Sequence, residues 1–163
     1  GIKDGTLQVI ATDHCSFDFH GDKQNGKDDF TKCPNGAPGV ETRMPIVFSE
    51  GVSKGRLSLN EFAAVTSTNP AKIFGMYPKK GVLAPGSDAD IVLMNPDMEV
   101  TITKNILHEN VDYTPYEGIQ VKGWPVMTMV RGQAVVENER LQVPLGFGRY
   151  INRKPVKYTE LLK

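Results

Sequence analysis

Asp13 and His14 stand directly behind an apolar run, Leu7, Val9, Ile10 and Ala11, in the stretch TDHCSFDFHGD. A carboxylate in that place can ligate a divalent metal or carry a proton, and an imidazole beside it can orient the acid. Alone, such a pair is more often an ordinary strand end than a site. Asn35, in the run PNGAPG, carries a neutral amide that offers both a donor and an acceptor. On residue type alone, Asn35 with Gly36 is more often a plain turn than a binding site. His20 and His108 are isolated and are expected to be surface or hydrogen-bonded residues rather than ligands. No H-x-H and no H-E-x-x-H occurs anywhere. Cys15 and Cys33 make no C-x-x-C, and no other cysteine could complete a zinc knuckle.

These residues need elements to hold them. Residues 7–11 are nearly all apolar, which suits a strand buried on both faces of a parallel sheet. Barrels and open α/β folds place their working residues at the carboxyl ends of such strands. Residues 18–39 are polar and rich in Gly, Asp and Lys, and read as a long functional loop. A helix is expected over 41–51, with Pro45 near its first turn. SLNEFAAVTSTNPAKIFG then reads as two helices. Ser58 with Glu61 is a capping box, Asn69 before Pro70 an N-cap, and Gly75 a C-terminal stop.

The pattern changes at Tyr77 and Pro78. KKGVLAPGSDADIVLMNP reads as a short strand, a Pro-Gly turn, and a strand over 91–94 ended by Asn95 and Pro96. WPVMTMVRGQAVVENERLQV reads as two or three strands, with turns at Arg131 and Gly132 and at Asn138 and Glu139. Neither half is complete. One buried parallel strand needs neighbours, and four or five short strands make only one partly covered sheet.

Composition limits the partners. The chain has 163 residues with 19 basic and 19 acidic side chains, so the basic excess of a nucleic-acid or membrane-surface binder is missing. The tail GRYINRKPVKYTELLK is locally basic and is expected to be solvated or docked on a partner. No apolar run nears the ~18 residues of a membrane span. A disulfide between Cys15 and Cys33 is one option. A reduced pair in the cytoplasm is the favoured one, for want of a signal-like segment. The opening Gly1 is expected of a piece of something longer.

Five motifs occur in order: TDHCSF, PNGAPGVETRMP, VTSTNPAKIFGMYPKKGVLAPGSDADIVLMNP, YEGIQVKGWPV and GFGRYI. Together they resemble the dihydropyrimidinase/hydantoinase branch of the amidohydrolase superfamily, over essentially the whole chain. The resemblance implies an α/β part followed by a β part. Residues 1–76 would be the C-terminal part of a (β/α)8 TIM barrel, with its last strand, a loop and helices. Residues 77–143 would be most of a small composite β-sandwich, and 144–163 a tail that can touch another subunit. It implies a zinc-dependent hydrolase that opens dihydropyrimidines or 5-substituted hydantoins to N-carbamoyl amino acids, and a homotetramer. Asp13 falls where the family has the aspartate that binds one metal of a binuclear zinc centre and carries the proton. Asn35 falls where it has the asparagine that binds the substrate. His14 is expected to be a supporting neighbour of Asp13.

The same resemblance implies what this segment lacks. The family's H-x-H pair, carboxylated lysine, two further histidines and a substrate-binding tyrosine lie upstream of these motifs. One aspartate cannot hold a zinc pair, so the segment alone should be inactive and should need the N-terminal part of the same protein. The rival reading is a non-catalytic interaction protein of the same fold. The collapsin response mediator proteins share the GRYINRKP-like tail, but they lack the metal-binding aspartate and differ at the PNG asparagine. Asp13 and Asn35 therefore favour the enzyme. Allantoinases and dihydroorotases also carry DH at the strand end, but fit the PNGAPG loop and the tail less well.

Overall fold

The computed structural model describes residues 1–156. Its helical part comes first. Helix α1, Arg43–Val47, carries Pro45 in its first turn, where a missing N–H costs nothing, and runs on as a wide turn, Phe48–Ser53. Helix α2, Leu59–Ala63, starts at the expected capping box: the Ser58 hydroxyl accepts from Glu61 N, and the Glu61 carboxylate accepts from Ser58 N.

The two helices expected beyond this point are one helical stretch. α2 passes through a wide turn, Ala64–Thr68, into α3, Asn69–Ile73. Asn69 has helical φ −66 and ψ −45 and is not a cap; its side chain instead donates to Gln8 O at 2.8 Å. The wide turn absorbs the hydrogen bond that Pro70 cannot donate, so the helix widens without breaking. It ends at Gly75, where Met76 N returns to Ala71 O at 2.8 Å. Phe48, Phe62, Val65 and Ala71 are buried, and the Phe48 and Phe62 rings meet edge to face at 5.4 Å.

Residues 7–11 are extended but join no sheet, contrary to the buried strand expected there, and Leu7 is 57% exposed. A parallel strand needs a parallel neighbour, and the described residues supply none. Side contacts hold the segment instead. Ile10 N donates to Val65 O at 3.2 Å, and Arg43 Nη1 donates to Ile10 O at 2.9 Å.

The second part is an antiparallel sheet in the order β1-β2-β3-β4: β1 Ile91–Thr101, β2 Gln120–Val130, β3 Gln133–Glu137 and β4 Arg140–Leu141. Both expected hairpin turns are present. Arg131 and Gly132, then Asn138 and Glu139, all have positive φ, the two-residue turn that matches strand twist. β1 does not stop at Asn95 and Pro96. The ladder shifts between Asn95 and Glu99, so Pro96 sits where no ladder bond is lost and pairing resumes at Glu99.

The short strand expected after Lys79 is a set of tight bends. Lys80 holds them, reaching Asp88 at 3.0 Å and also pairing with Asp90, while Asp90 Oδ1 accepts Arg131 N at 2.9 Å. Burial works against the charge on Lys80, yet the bonds from Asp90 and Asp88 outweigh it and raise its pKa.

Ile102, Leu107, Val121 and Trp124 form the core of the β part. Gly123 joins it to the helices. Its φ of +102 and missing side chain admit the Phe48 ring, whose nearest atom lies 2.1 Å from where a Cβ would stand. No helix among the described residues is long and apolar enough to cross a membrane.

Candidate active site

The candidate site begins where the extended segment ends. Asp13 is exposed and takes a left-handed turn, φ 49, which aspartate tolerates better than most residues. The Thr12 hydroxyl steadies this turn by accepting His14 N at 3.2 Å. The chain then runs parallel to the PNGAPG loop. His14 bridges Ala37, and Cys15 N donates to Ala37 O at 3.3 Å. This pairing brings the neighbours of Asp13 and Asn35 side by side, with Asn35 exposed two residues before Ala37.

Gly36 and His14 hold the two stretches together, and Lys23 pins the loop itself. Gly36 has φ +114, and a Cβ there would stand 2.5 Å from Cys15 O. Lys23 Nζ donates to the carbonyls on either side of Asn35, Pro34 O and, at 2.5 Å, Gly36 O. His14 Nδ1 accepts from Gly39 N at 3.1 Å and Val40 N at 3.3 Å. Two N–H groups aimed at one ring nitrogen demand its lone pair, so the ring hydrogen sits on Nε2. The approach of His14 Nδ1 to Glu109 Oε1 at 3.9 Å is therefore no ion pair. His14 thus supports the PNGAPG loop through Gly39 and Val40.

His20 and His108 are hydrogen-bonded at the surface, as expected. His20 Nδ1 lies 2.7 Å from Asp112 Oδ2, and His108 Nδ1 lies 2.7 Å from Glu41 Oε1. Asp112 and His108 both belong to the connection between β1 and β2, residues 102–119. Asp112 also accepts Phe19 N at 2.6 Å and His20 N at 2.9 Å. These bonds, that from His20 N foremost, lower its pKa to about 2. Glu41 raises the pKa of His108, first through the side-chain hydrogen bond and then through its charge.

The two shifts act in opposite pH windows. A lowered carboxyl stabilises above its unfolded value of 3.8 and loses that as pH falls through about 2. A raised histidine stabilises fully below its unfolded 6.5 and loses that as pH rises through the raised value. The amides of Phe19 and His20 should therefore stay protected from hydrogen exchange through neutral pH, after correction for intrinsic rates. Protection should fall only on acidification from about 4 towards 2. Loss of protection between pH 5 and 7 would contradict the assignment.

Cys15 and Cys33 are both free thiols, the favoured of the two options. No group of three or more His, Cys, Asp or Glu side chains that could hold a metal occurs among the described residues. Asp13 fits as one exposed hard-oxygen donor, and further ligands would have to come from outside the described residues. Reading by residue type missed Lys23, Glu109 and Asp112, because bonds to distant backbone leave no local spacing to find.

The chain matches the model of the Amidohydrolase family over residues 1–135. It is 47% identical over 161 residues to the D-hydantoinase of Geobacillus stearothermophilus, covering 99% of this chain and 34% of that protein. Among solved structures it is similar to dihydropyrimidinase from Brevibacillus agri, with TM-score 0.93 and 51% identity over 96% of this chain and 34% of that one. It is also similar to an L-hydantoinase from Arthrobacter aurescens, with TM-score 0.84 and 39% identity over 93% of this chain and 34% of that one. The chain thus spans about a third of the length of the curated relatives it matches. With a family match over most of its length and an exposed acid beside a pinned polar loop, this chain belongs to the amidohydrolase family.

Proposed function

We propose that this chain is the C-terminal third of a cyclic amidohydrolase. The whole protein opens the ring amide of dihydropyrimidines or 5-substituted hydantoins to N-carbamoyl amino acids. The observation that carries this reading is the exposed Asp13 carboxylate, set beside the PNGAPG loop in a chain so similar to hydantoinases and a dihydropyrimidinase. In this reading residues 1–76 complete a (β/α)8 barrel whose missing strands flank residues 7–11. Residues 77–143 form most of a β-sandwich, and 144–163 reach a neighbouring subunit of a tetramer. Of that tail, residues 157–163 lie outside the described residues. Leu7 at 57% and Leu93 at 46% exposure support missing polypeptide on both parts. Two free thiols fit a cytoplasmic setting.

Asp13 is one ligand of a binuclear zinc site completed by the rest of the protein. When bound, the metals polarise the ring carbonyl and make water acidic. The work left to this chain is proton transfer and orientation. Water adds to the amide carbon while Asp13 takes its proton. The ring C–N bond breaks, and Asp13 returns the proton to the departing nitrogen. Asn35 orients the ring, its amide matching the donor and acceptor of an imide edge.

The test is hydrolysis of dihydrouracil and a 5-substituted hydantoin by the metal-loaded full-length protein. Turnover of neither would favour the non-catalytic interaction protein. Asn35→Ala should weaken transition-state binding by roughly 1–3 kcal/mol, the cost of a polar partner left unpaired, with zinc content unchanged. Zinc loss with unchanged turnover per loaded site would make Asn35 structural.

A further inference from the structure

We propose that Asp112 is a positioning residue for the Asn35 loop: with Glu109 it fastens both ends of that loop to the β part, and so sets where Asn35 meets substrate. The proposal rests on the reading of Asn35 given above.

The geometry is a pair of reciprocal clasps. At one end Asp112 accepts the amides of Phe19 and His20, and Asp112 N donates back to Asp18 Oδ1 at 3.1 Å. At the other end Glu109 Oε1 accepts Glu41 N at 3.1 Å, and Glu41 Oε2 accepts His108 N at 2.7 Å. Each clasp crosses a carboxylate in both directions, so neither strand of chain can shift without breaking charge-assisted bonds. Between the clasps lie residues 21–40, with Asn35 among them.

The strap that carries the clasps is rooted in the core. Leu107, 7% exposed, packs with Ile102, Val121 and Trp124, and Thr114 is buried on the far side. Glu109 is itself 9% exposed. Its Oε2 is buried and finds no hydrogen-bond partner among the described residues. A buried carboxylate held by one loop amide is a poor choice for stability alone, since desolvation opposes it. It is a good choice for fixing one loop position. Phe19 adds a ring contact to Tyr113 at 5.8 Å.

A clasp that only stabilises would lower the melting temperature and leave the kinetics of the folded enzyme alone. A positioning clasp acts through Asn35. In metal-loaded full-length protein, Asp112→Ala should lower kcat/KM for dihydrouracil about tenfold at unchanged zinc content. In the Asn35→Ala background the same change should cost less than about twofold, because the group being positioned is gone. Asp112→Asn, which keeps one acceptor oxygen, should fall between parent and Asp112→Ala, and serves if the alanine variant does not fold. Equal losses in both backgrounds, or no loss in the parent, would overturn the proposal.

A second measurement needs no substrate. In a Cys15→Ser background, alkylation of Cys33 on the loop should run about tenfold faster with Asp112→Ala, as local opening of the loop exposes the thiol. An unchanged labelling rate would overturn the proposal. An Asn35→Ala enzyme with parental kinetics would instead remove the substrate role of Asn35, and the labelling rate alone would then decide whether the clasp orders the loop.

Discussion

Full-length protein carrying Asp13→Asn is expected to keep its fold and lose roughly 10²–10⁴-fold in ring hydrolysis, the usual worth of a general acid–base group. The amide fills the same volume and Asp13 is exposed, so no core packing changes. An amide oxygen can still approach a cation, but it cannot hold the proton between attack and departure of the ring nitrogen. Asp13→Ala removes the donor altogether and should lower zinc content as well as rate. The measurement is turnover of dihydrouracil and a 5-substituted hydantoin per metal-loaded site. Activity within a fewfold of the parent would make Asp13 a mere strand end and move the interaction-protein reading ahead.

Gly36→Ala should be the next most damaging change. At φ +114 an alanine is strained, and its Cβ would stand 2.5 Å from Cys15 O and 2.6 Å from Cys15 Cβ. The nearer obstacle is backbone, so it cannot rotate away. Strain and overpacking together put the cost at roughly 2–5 kcal/mol. The loop can escape by leaving Cys15, which pulls Asn35 away from the stretch that carries Asp13 and breaks the bond from Cys15 N to Ala37 O. Ring hydrolysis should then fall further than in Asn35→Ala, with a lower melting temperature. A variant with parental melting and kinetics would show that the two stretches are not held in register.

The parts legible in the sequence are those written in local chemistry. The capping box at Ser58 and Glu61 is a three-residue pattern, and the two hairpin turns are dipeptides flanked by alternating apolar residues. Asp13 and Asn35 are candidates named by motifs and resemblance, and the pairing of His14 with Ala37 links the two stretches that carry them. What escaped depends on partners far along the chain. Pro70 reads as a helix start, yet the turn before it widens and lets one helix continue. Pro96 reads as a strand end, yet it falls in a gap of the ladder. Residues 7–11 read as a buried strand, although burial belongs to neighbours that the described residues do not contain. Glu109 and Asp112 carry no local sign that their acceptors serve amides 68 and 92 to 93 positions away.

Those separations bear on the order in which the molecule is made. A ribosome that has released the chain as far as residue 100 has produced the whole loop and both of its acidic ends, Asp18 and Glu41, but neither Glu109 nor Asp112. Closing a gap of that length costs entropy that no local contact repays, so the loop must wait for the strap. The strap in turn waits for Val121 and Trp124, which bury Leu107. Newly synthesised chain therefore passes through a stage in which helices have formed while the stretch around Lys23 and Phe30 hangs open. In that interval the open stretch is exposed to proteases and chaperones.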